Sequence, residues 1–284
     1  MIAVWILAVI FFWINSIKMQ IILKKQDCTV DIATIFGASA VACLYSMILP
    51  GVLSTGVKWY ILKKGTGKPS NVLSSMLYNQ LSIIFVMTVF GLVALIVTNP
   101  AANTGNRWLL PAICSILLAA IILISLLLLN SRTGGKIIKG LRLLLRPFPA
   151  KIRQKSQEIL DQIATFQAAG AKFHLTIASV TVIASLGVGV FIYFLSAKAA
   201  NITAPLWVFV WLYAIIYVLA KLPISVANLG VREFTLVGFL ALYGVETSQA
   251  LLMSMILFSA VIFMAVIGAI YQLYWAVTAK KSNI

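Results

Sequence analysis

The hydrophobic positions of this 284-residue chain fall into long runs that are separated by short polar segments. A membrane-crossing helix needs roughly 20 apolar residues, and five of the runs approach or exceed that length. They predict full spans at about 2–23, 72–98, 108–130, 173–197 and 250–277. The pattern therefore predicts an all-α, polytopic bundle of membrane helices in a single domain, residues 1–284.

Two further regions combine apolar runs with helix-breaking residues. Residues 32–64 carry an apolar run, then Pro-Gly, then a short mixed segment, whereas 205–245 carry two apolar runs around "LPISVANLGVRE". Proline removes a backbone donor and glycine permits unusual dihedrals, so each region is predicted to be a broken helical hairpin, either re-entrant or two full spans. The predicted break positions are Pro50, Gly51, Gly56, Pro223 and Gly230.

Composition supports the membrane interpretation. The chain is 62% hydrophobic and 10% charged, whereas soluble domains carry about 25% charged residues. Its net charge of +16 comes from 22 Lys and Arg against 6 acidic residues. In a soluble protein this balance would suggest nucleic acid, but cytoplasmic loops of membrane proteins also collect Lys and Arg. We therefore expect a bilayer and its lipids as partners, and no nucleic acid.

The positions of the cations predict the topology. Lys24 and Lys25 follow the first apolar run, which places the amino terminus outside and this end in the cytoplasm. The run lacks the features of a cleaved signal peptide, so we expect a retained helix, in which Lys18 snorkels to the interface. The basic connector, about 131–172, and the carboxyl terminus are then cytoplasmic. The first hairpin opens inward and the second outward.

The connector also carries apolar residues at helical intervals, namely Ile152, Ile159, Ile163 and Phe166. Such a helix lies on the cytoplasmic membrane surface or packs on the loops of the bundle, and the sequence leaves both open. The three cysteines and the single histidine, His174, have no metal-ligand spacing, and no nucleotide-binding P-loop is visible. We expect no cofactor and no metal.

The two breaks share a pattern: Leu-Pro, five or six residues, then Gly-Val and a cation. It occurs as "LPGVLSTGVK" and "LPISVANLGVR", ending at Lys58 and Arg232. Discontinuous helices in oppositely oriented repeats form substrate sites in many transporters, and their helix amino termini suit an anion. The alternative is a chance similarity, since proline and glycine are frequent in membrane helices.

A charged side chain inside an apolar region usually forms an ion pair or has a functional role. Arg232 and Glu233 are adjacent, so on a helix they point about 100° apart and are predicted to pair with other groups. Lys221 is the candidate for Glu233 and a lipid phosphate for Arg232; the alternative is a structural salt bridge that fixes the hairpin. Interhelical hydrogen bonds are the simplest role for Asn79 and Gln80. The predicted substrate-binding residues are Lys58, Lys221, Asn228, Arg232 and Glu233.

The motifs resemble those of a known family. "LPGVLSTGVKWYILKKGTGKPSNVLSSMLYNQ" at 49–80 and "LPISVANLGVREFTLVGFLALYGVETSQAL" at 222–251 are similar to motifs of the lysylphosphatidylglycerol synthase transmembrane-region family, also called flippase-like or UPF0104. The likeness extends over nearly the whole chain. Two positions depart from it: Val57-Lys58 replaces an acidic residue followed by Arg, and Asn79-Gln80 replaces a Glu-Arg pair.

The resemblance implies an inner-membrane protein that moves or binds an anionic or aminoacylated phospholipid or a lipid-linked headgroup. We expect no counterpart of the soluble aminoacyl transferase domain of the best-known members within these 284 residues, so synthase activity is not carried over and enzymatic function stays open. A separate lipid-modifying enzyme is a possible partner. The alternatives are a membrane-embedded transferase, with Glu233 as general base, or an accessory scaffold acting on lipid-linked sugars.

Overall fold

The computed structural model describes residues 1–49, 51–102, 107–129, 165–166, 168–220 and 227–281. These residues form helices and contain no strand, so the all-α prediction is confirmed. The helices are α1 (Ile2–Lys24), α2 (Ile32–Ser46), α3 (Gly51–Thr66), α4 (Pro69–Thr98), α5 (Leu109–Leu129), α6 (Ala171–Ala199), α7 (Leu206–Leu219), α8 (Val231–Leu240) and α9 (Thr247–Lys281).

The five predicted spans coincide with α1, α4, α5, α6 and α9. Within the described ranges, four helices are long and apolar enough to cross a membrane: α1, α4, α6 and α9. Helix α5 has 21 residues, or about 31 Å at 1.5 Å per residue. Its side chains at Leu109, Ile116 and Leu123 are largely exposed, as expected for a helix that faces lipid tails.

Helices α1 and α9 run parallel through the bundle. Trp5 stacks on Phe263 with ring centroids 5.1 Å apart. Further along both helices, Phe36 lies between Trp13 and Tyr271. The carboxyl ends of α1 and α9 therefore share one face of the molecule. This basic face carries Lys24, Lys25, Lys63, Lys64, Lys68 and Lys172.

Both predicted broken regions are divided into two helices. Helices α2 and α3 form a hairpin that opens on the basic face, and α7 and α8 form one that opens on the opposite face. The 15 residues of α2 and 14 of α7 extend about 22 and 21 Å, less than the ~30 Å of a hydrocarbon core. The hairpin tips touch, because the backbone N–H of Ala227 donates to the carbonyl of Ser46 at 3.1 Å.

The predicted break at Gly56 is wrong, because this glycine lies inside the continuous helix α3. A glycine in a helix interior costs only about 1 kcal/mol relative to alanine. The same helix buries Leu62 completely in an apolar cluster with Met19 and Met76, and that packing outweighs the local preference. Gly51 is the first residue of α3, whereas Pro50 and Pro223 lie outside the described residues.

The tip of the second hairpin has an unusual backbone. Ala227 and Asn228 adopt φ values of 51° and 61°, and Gly230, the residue before α8, has φ 83°. Glycine reaches positive φ without steric penalty, which explains its position immediately before Val231. The tip thereby turns sharply into α8 and presents Arg232 and Glu233 in the first helical turn.

Helix α6 widens at a π-helical turn, Ile183–Gly189. A Cβ at Gly189 would lie 2.9 Å from the ring and hydroxyl of Tyr213. The missing side chain therefore allows α7 to approach α6 closely and places Tyr213 beside Tyr193, with ring centroids 5.1 Å apart. π-Helical turns occur frequently at functional sites, and this one borders the cavity between the hairpin tips.

Candidate functional site

A cavity of about 380 Å³ lies where the two hairpin tips meet. Its walls come from α1, α2, α3, α6, α7, α8, α9 and the second tip, and most of the lining residues are apolar, such as Phe12, Leu257 and Ala260. The polar lining residues are Ser46, Ser54, Thr55, Tyr193, Tyr213, Asn228 and Arg232. An apolar site with a few convergent polar groups is the usual form of a ligand pocket.

Among the described residues of this lining, Arg232 is the cation, and only 4% of it is exposed. Its Nε donates to Ser254 Oγ and one terminal nitrogen donates to Glu233 Oε1, both at 2.7 Å. Its guanidinium also lies 5.4 Å from the ring centroid of Phe258. A guanidinium has five N–H donors, so the other three have no partner among the described residues and are available to an oxyanion.

Glu233 is held by three hydrogen bonds. Its Oε2 accepts from the Gly230 N–H at 2.7 Å, and its Oε1 accepts from Arg232 and from Ser254 Oγ, the latter at 2.5 Å. Ser254 lies on α9 and connects to both charged groups. The network therefore ties the second hairpin tip to the long helix α9.

The prediction that Arg232 and Glu233 would not pair is wrong: their ion pair measures 2.7 Å. In the first turn of a helix the backbone N–H groups lack intrahelical partners. The Glu233 side chain folds back toward one of them, at Gly230, and this brings its carboxylate within reach of the neighbouring guanidinium. The salt bridge that fixes the hairpin, the structural alternative, is present.

The structure separates the other predicted site residues. Asn228 joins Arg232 in the cavity lining, and Glu233 lies directly behind Arg232 without lining the cavity. Lys58 is not part of the lining; it lies on α3 toward the basic face. Lys221, the predicted partner of Glu233, is outside the described residues.

Lys58 has instead another lysine as its neighbour. Lys18 of α1 is fully buried, so the prediction that it snorkels to the interface is wrong. Its Nζ donates to Thr181 Oγ1 at 3.3 Å, and Lys58 exerts a coulombic repulsion on it. Met19 and Leu62, next to Lys18 and one turn beyond Lys58, pack in the same apolar cluster.

Sequence reasoning missed Ser254 and Lys18 as parts of polar clusters. Ser254 is one of several serines in apolar helices, and nothing local distinguishes it from Ser259 on the same helix. Lys18 did carry a signal, since a lysine six residues before the end of an apolar helix has to reach the interface or find polar neighbours inside. The structure shows the second outcome.

The structure also tests the predictions for Gln80 and for the basic connector. Gln80 Nε2 donates to Tyr217 Oη at 3.0 Å, which confirms an interhelical hydrogen bond for this residue. Phe166 is 2% exposed and stacks on Tyr78 at 4.4 Å, so this end of the predicted connector helix packs on the bundle. The other apolar connector positions, Ile152, Ile159 and Ile163, lie outside the described residues.

The comparisons with known proteins identify the family. The family model described as "Lysylphosphatidylglycerol synthase TM region" matches residues 1–269. No curated protein and no solved structure matched the chain. The match covers α1 to α8 and most of α9, and with them both hairpins and the cavity between their tips. This chain therefore belongs to the lysylphosphatidylglycerol synthase transmembrane-region family.

Proposed function

We propose that this chain is a lipid translocase-like protein of the cell membrane. It binds the anionic or aminoacylated headgroup of a phospholipid, or a lipid-linked headgroup, in the cavity between two re-entrant hairpins and moves it between leaflets. The observation that carries this proposal is Arg232, which is buried in the cavity wall with three guanidinium donors free of partners among the described residues.

The geometry of Arg232 supports phosphate binding. Two of its hydrogen bonds fix the guanidinium against Ser254 and Glu233, so little side-chain entropy is lost when a ligand arrives. Charge-assisted hydrogen bonds from arginine to phosphate are stronger than neutral ones, and bidentate contacts add geometric specificity. The buried position strengthens the attraction further, because water screens it less.

The helix ends around the cavity support the same ligand. Helices α3 and α8 both begin at a hairpin tip, at Gly51 and Val231. The positive ends of their dipoles therefore converge on the cavity, and a helix amino terminus favours an anion. The opposing carbonyl of Ser46, at the end of α2, is already satisfied by the Ala227 N–H.

The apolar part of the lining suits the rest of a lipid. Phe11, Phe12 and Leu257 line the cavity together with the polar groups. A headgroup bound at Arg232 can extend its glycerol and acyl chains past these side chains toward the hydrocarbon phase. This arrangement avoids exposing the acyl chains to water, whose cost is about 25 cal/mol per Å² of apolar surface.

The proposed role differs from catalysis by Glu233. Its carboxylate oxygens accept three hydrogen bonds, one of them from the guanidinium of Arg232. In the part of the chain that the structure describes, no group of three or more His, Cys, Asp or Glu residues is arranged for a metal. Glu233 is better placed to hold Arg232 in position than to remove a proton.

The test is a leaflet-resolved assay with the purified full-length protein in phosphatidylcholine vesicles that contain headgroup-labelled phosphatidylglycerol. Wild type and Lys64→Gln, an exposed control, should move the headgroup between leaflets. Arg232→Gln should slow the movement at least tenfold, and Arg232→Lys should recover part of it. Equal rates in wild type and Arg232→Gln would contradict the role of this site.

A further inference from the structure

Lys18 and Lys58 present an electrostatic arrangement that the proposed cavity does not use. Lys18 has no exposed surface, and in the described ranges its hydrogen bonding is limited to the contact with Thr181 at 3.3 Å. Lys58 is partly buried and repels it. The ion pair that the described residues do contain, between Arg232 and Glu233, involves neither lysine.

A buried ammonium group with a single hydroxyl partner is unfavourable. Its three N–H donors need acceptors, and its charge needs compensation once it has left water. The Thr181 hydroxyl donates to the carbonyl of Ile177 and accepts from Lys18, but it is neutral and does not compensate the charge of the ammonium. A second cation nearby increases the cost. An anion between the two lysines would remove both problems.

The neighbouring helix α4 supplies polar groups along the same side. Ser75, Asn79 and Ser82 are spaced four and three residues apart, which places them on one face of a helix. Ser82 Oγ lies 3.5 Å from Thr181 Oγ1, beside the Lys18 contact. Ser75 Oγ and Asn79 Oδ1 are buried and have no hydrogen-bond partner among the described residues. Ser75 is fully buried.

Buried polar atoms without partners are rare in proteins and call for an explanation. Here two of them share a helix face with Ser82, which contacts the hydroxyl that binds Lys18. Helix α4 packs against both α1 and α6, so this face lies among the elements that carry Lys18 and Thr181. A protonated oxyanion, or a hydroxyl of the same ligand, can donate to Asn79 and accept from Ser75.

We propose that Lys18 and Lys58 form a second oxyanion site, for a phosphate group, between the cavity and the basic face. The site has its own residues: Lys18, Lys58 and Thr181, with Ser75, Asn79 and Ser82 along the facing side of α4. The phosphate comes from a lipid headgroup or from free inorganic phosphate. Only the first source rests on the proposed function, in which this site is the position that a headgroup occupies on the basic-face side of Arg232.

The experiment compares thermal unfolding of the full-length protein in phosphatidylcholine nanodiscs under three conditions. These are no addition, added inorganic phosphate, and replacement of a tenth of the lipid by phosphatidylglycerol. The variants are Lys18→Met and Lys58→Met, with Lys58→Gln as a polar substitute. Lys24→Met and Lys64→Met are controls, because they remove exposed lysines from the same two helices.

We expect at least one phosphate source to raise the wild-type unfolding temperature in a saturable way. Lys18→Met should unfold at a higher temperature than wild type without an anion, since it removes a buried unpaired charge. Its half-saturating anion concentration should rise at least tenfold, as should that of both Lys58 variants. The two controls should behave like wild type. A response to phosphatidylglycerol alone assigns the site to a headgroup, and a response to both probes makes it accessible to free phosphate.

Two results would overturn the proposal. One is an unfolding temperature of wild type that neither phosphate source changes. The other is a Lys18→Met variant that unfolds at a lower temperature while it keeps the full anion response, as expected if the lysine only anchors Thr181. Arg232→Gln distinguishes the two sites. This variant should retain the rise in unfolding temperature that an added phosphate source causes by binding at Lys18. If headgroup movement is absent while that response persists, the translocase function fails and the second site stands.

Discussion

The backbone N–H of Ala227 donates a 3.1 Å hydrogen bond to the carbonyl of Ser46. This bond joins the tips of two helical hairpins that open on opposite faces of the bundle. Each tip exposes backbone groups that helices normally satisfy internally, and broken backbone inside a membrane is tolerated where protein or a wet cavity provides partners. The contact satisfies one such pair, and Arg232 lies in the wall of the cavity beside it.

The network around Ser254 predicts a measurable effect on stability. Ser254→Ala removes the acceptor for Arg232 Nε and a donor to Glu233. Because the charged partners stay buried, the free energy of unfolding should fall by about 1.5–3 kcal/mol. Ser248→Ala on the same helix removes an exposed hydroxyl and should change it by less than about 0.5 kcal/mol. Denaturant titration in detergent measures both, and equal effects would refute the network.

The packing of α2 on α9 predicts a strong effect of one methyl group. A Cβ at Gly268 would overlap the Ala40 carbonyl, with the carbonyl carbon 2.5 Å away. The obstacle is backbone, so Gly268→Ala should push α2 away and destabilise the protein by about 1–3 kcal/mol or more.

The matched substitution is Gly238→Ala on α8, where a Cβ would meet no atom within 4 Å. It should leave stability unchanged or raise it by up to about 1 kcal/mol, because alanine favours helices. Thermal unfolding of the two variants, side by side, checks the predicted difference. A tolerated Gly268→Ala would show that the two helices are further apart than described.

The position of the cavity predicts that a larger side chain in its wall reduces headgroup movement. Ala260 lines the cavity, and Ala260→Phe would place a ring in its space of about 380 Å³. Headgroup movement in the vesicle assay should fall at least tenfold, while the unfolding temperature changes little because the ring fills existing space. Val266→Phe, on an exposed part of the same helix, should leave movement unchanged. Unimpaired movement in Ala260→Phe would place the pathway elsewhere.

The distribution of cations predicts which face is cytoplasmic. Lys64→Cys lies on the basic face and Ser248→Cys on the opposite face, both at exposed positions. A membrane-impermeant maleimide should label Ser248→Cys in intact cells, and Lys64→Cys only after permeabilisation. Both variants are made in a Cys43→Ser background, because Cys43 is partly buried and lines the cavity, whereas Cys28 and Cys114 are buried. The reverse pattern would invert the predicted topology.

The spans, and the division of each broken region into two helices, were predictable because they depend on local sequence. An apolar run of membrane length has few alternatives to a helix, and Leu-Pro-Gly interrupts one wherever it occurs. The same reasoning failed at Gly56, where packing of Leu62 and its neighbours keeps α3 continuous. A single glycine is a weak signal compared with the burial of several apolar side chains.

The site was predictable only in part. Arg232 and Asn228 were expected from their charge and polarity in an apolar region, and both line the cavity. Their neighbours on other helices, Ser254 and Tyr193, depend on tertiary packing that local sequence does not encode. The prediction that Arg232 and Glu233 would not pair was based on the geometry of a regular helix interior. The pair forms in the first turn of a helix, where backbone N–H groups are free to bind the Glu233 side chain.

The central claim is that the cavity between the hairpin tips holds an anionic headgroup through Arg232. The most direct measurement is an experimental structure of the full-length protein in nanodiscs that contain phosphatidylglycerol. The account predicts headgroup density between the tips, with a phosphate oxygen about 2.7–2.9 Å from the Arg232 guanidinium. It would be contradicted by a cavity closed by side chains, or by lipid phosphates found only around the perimeter of the bundle.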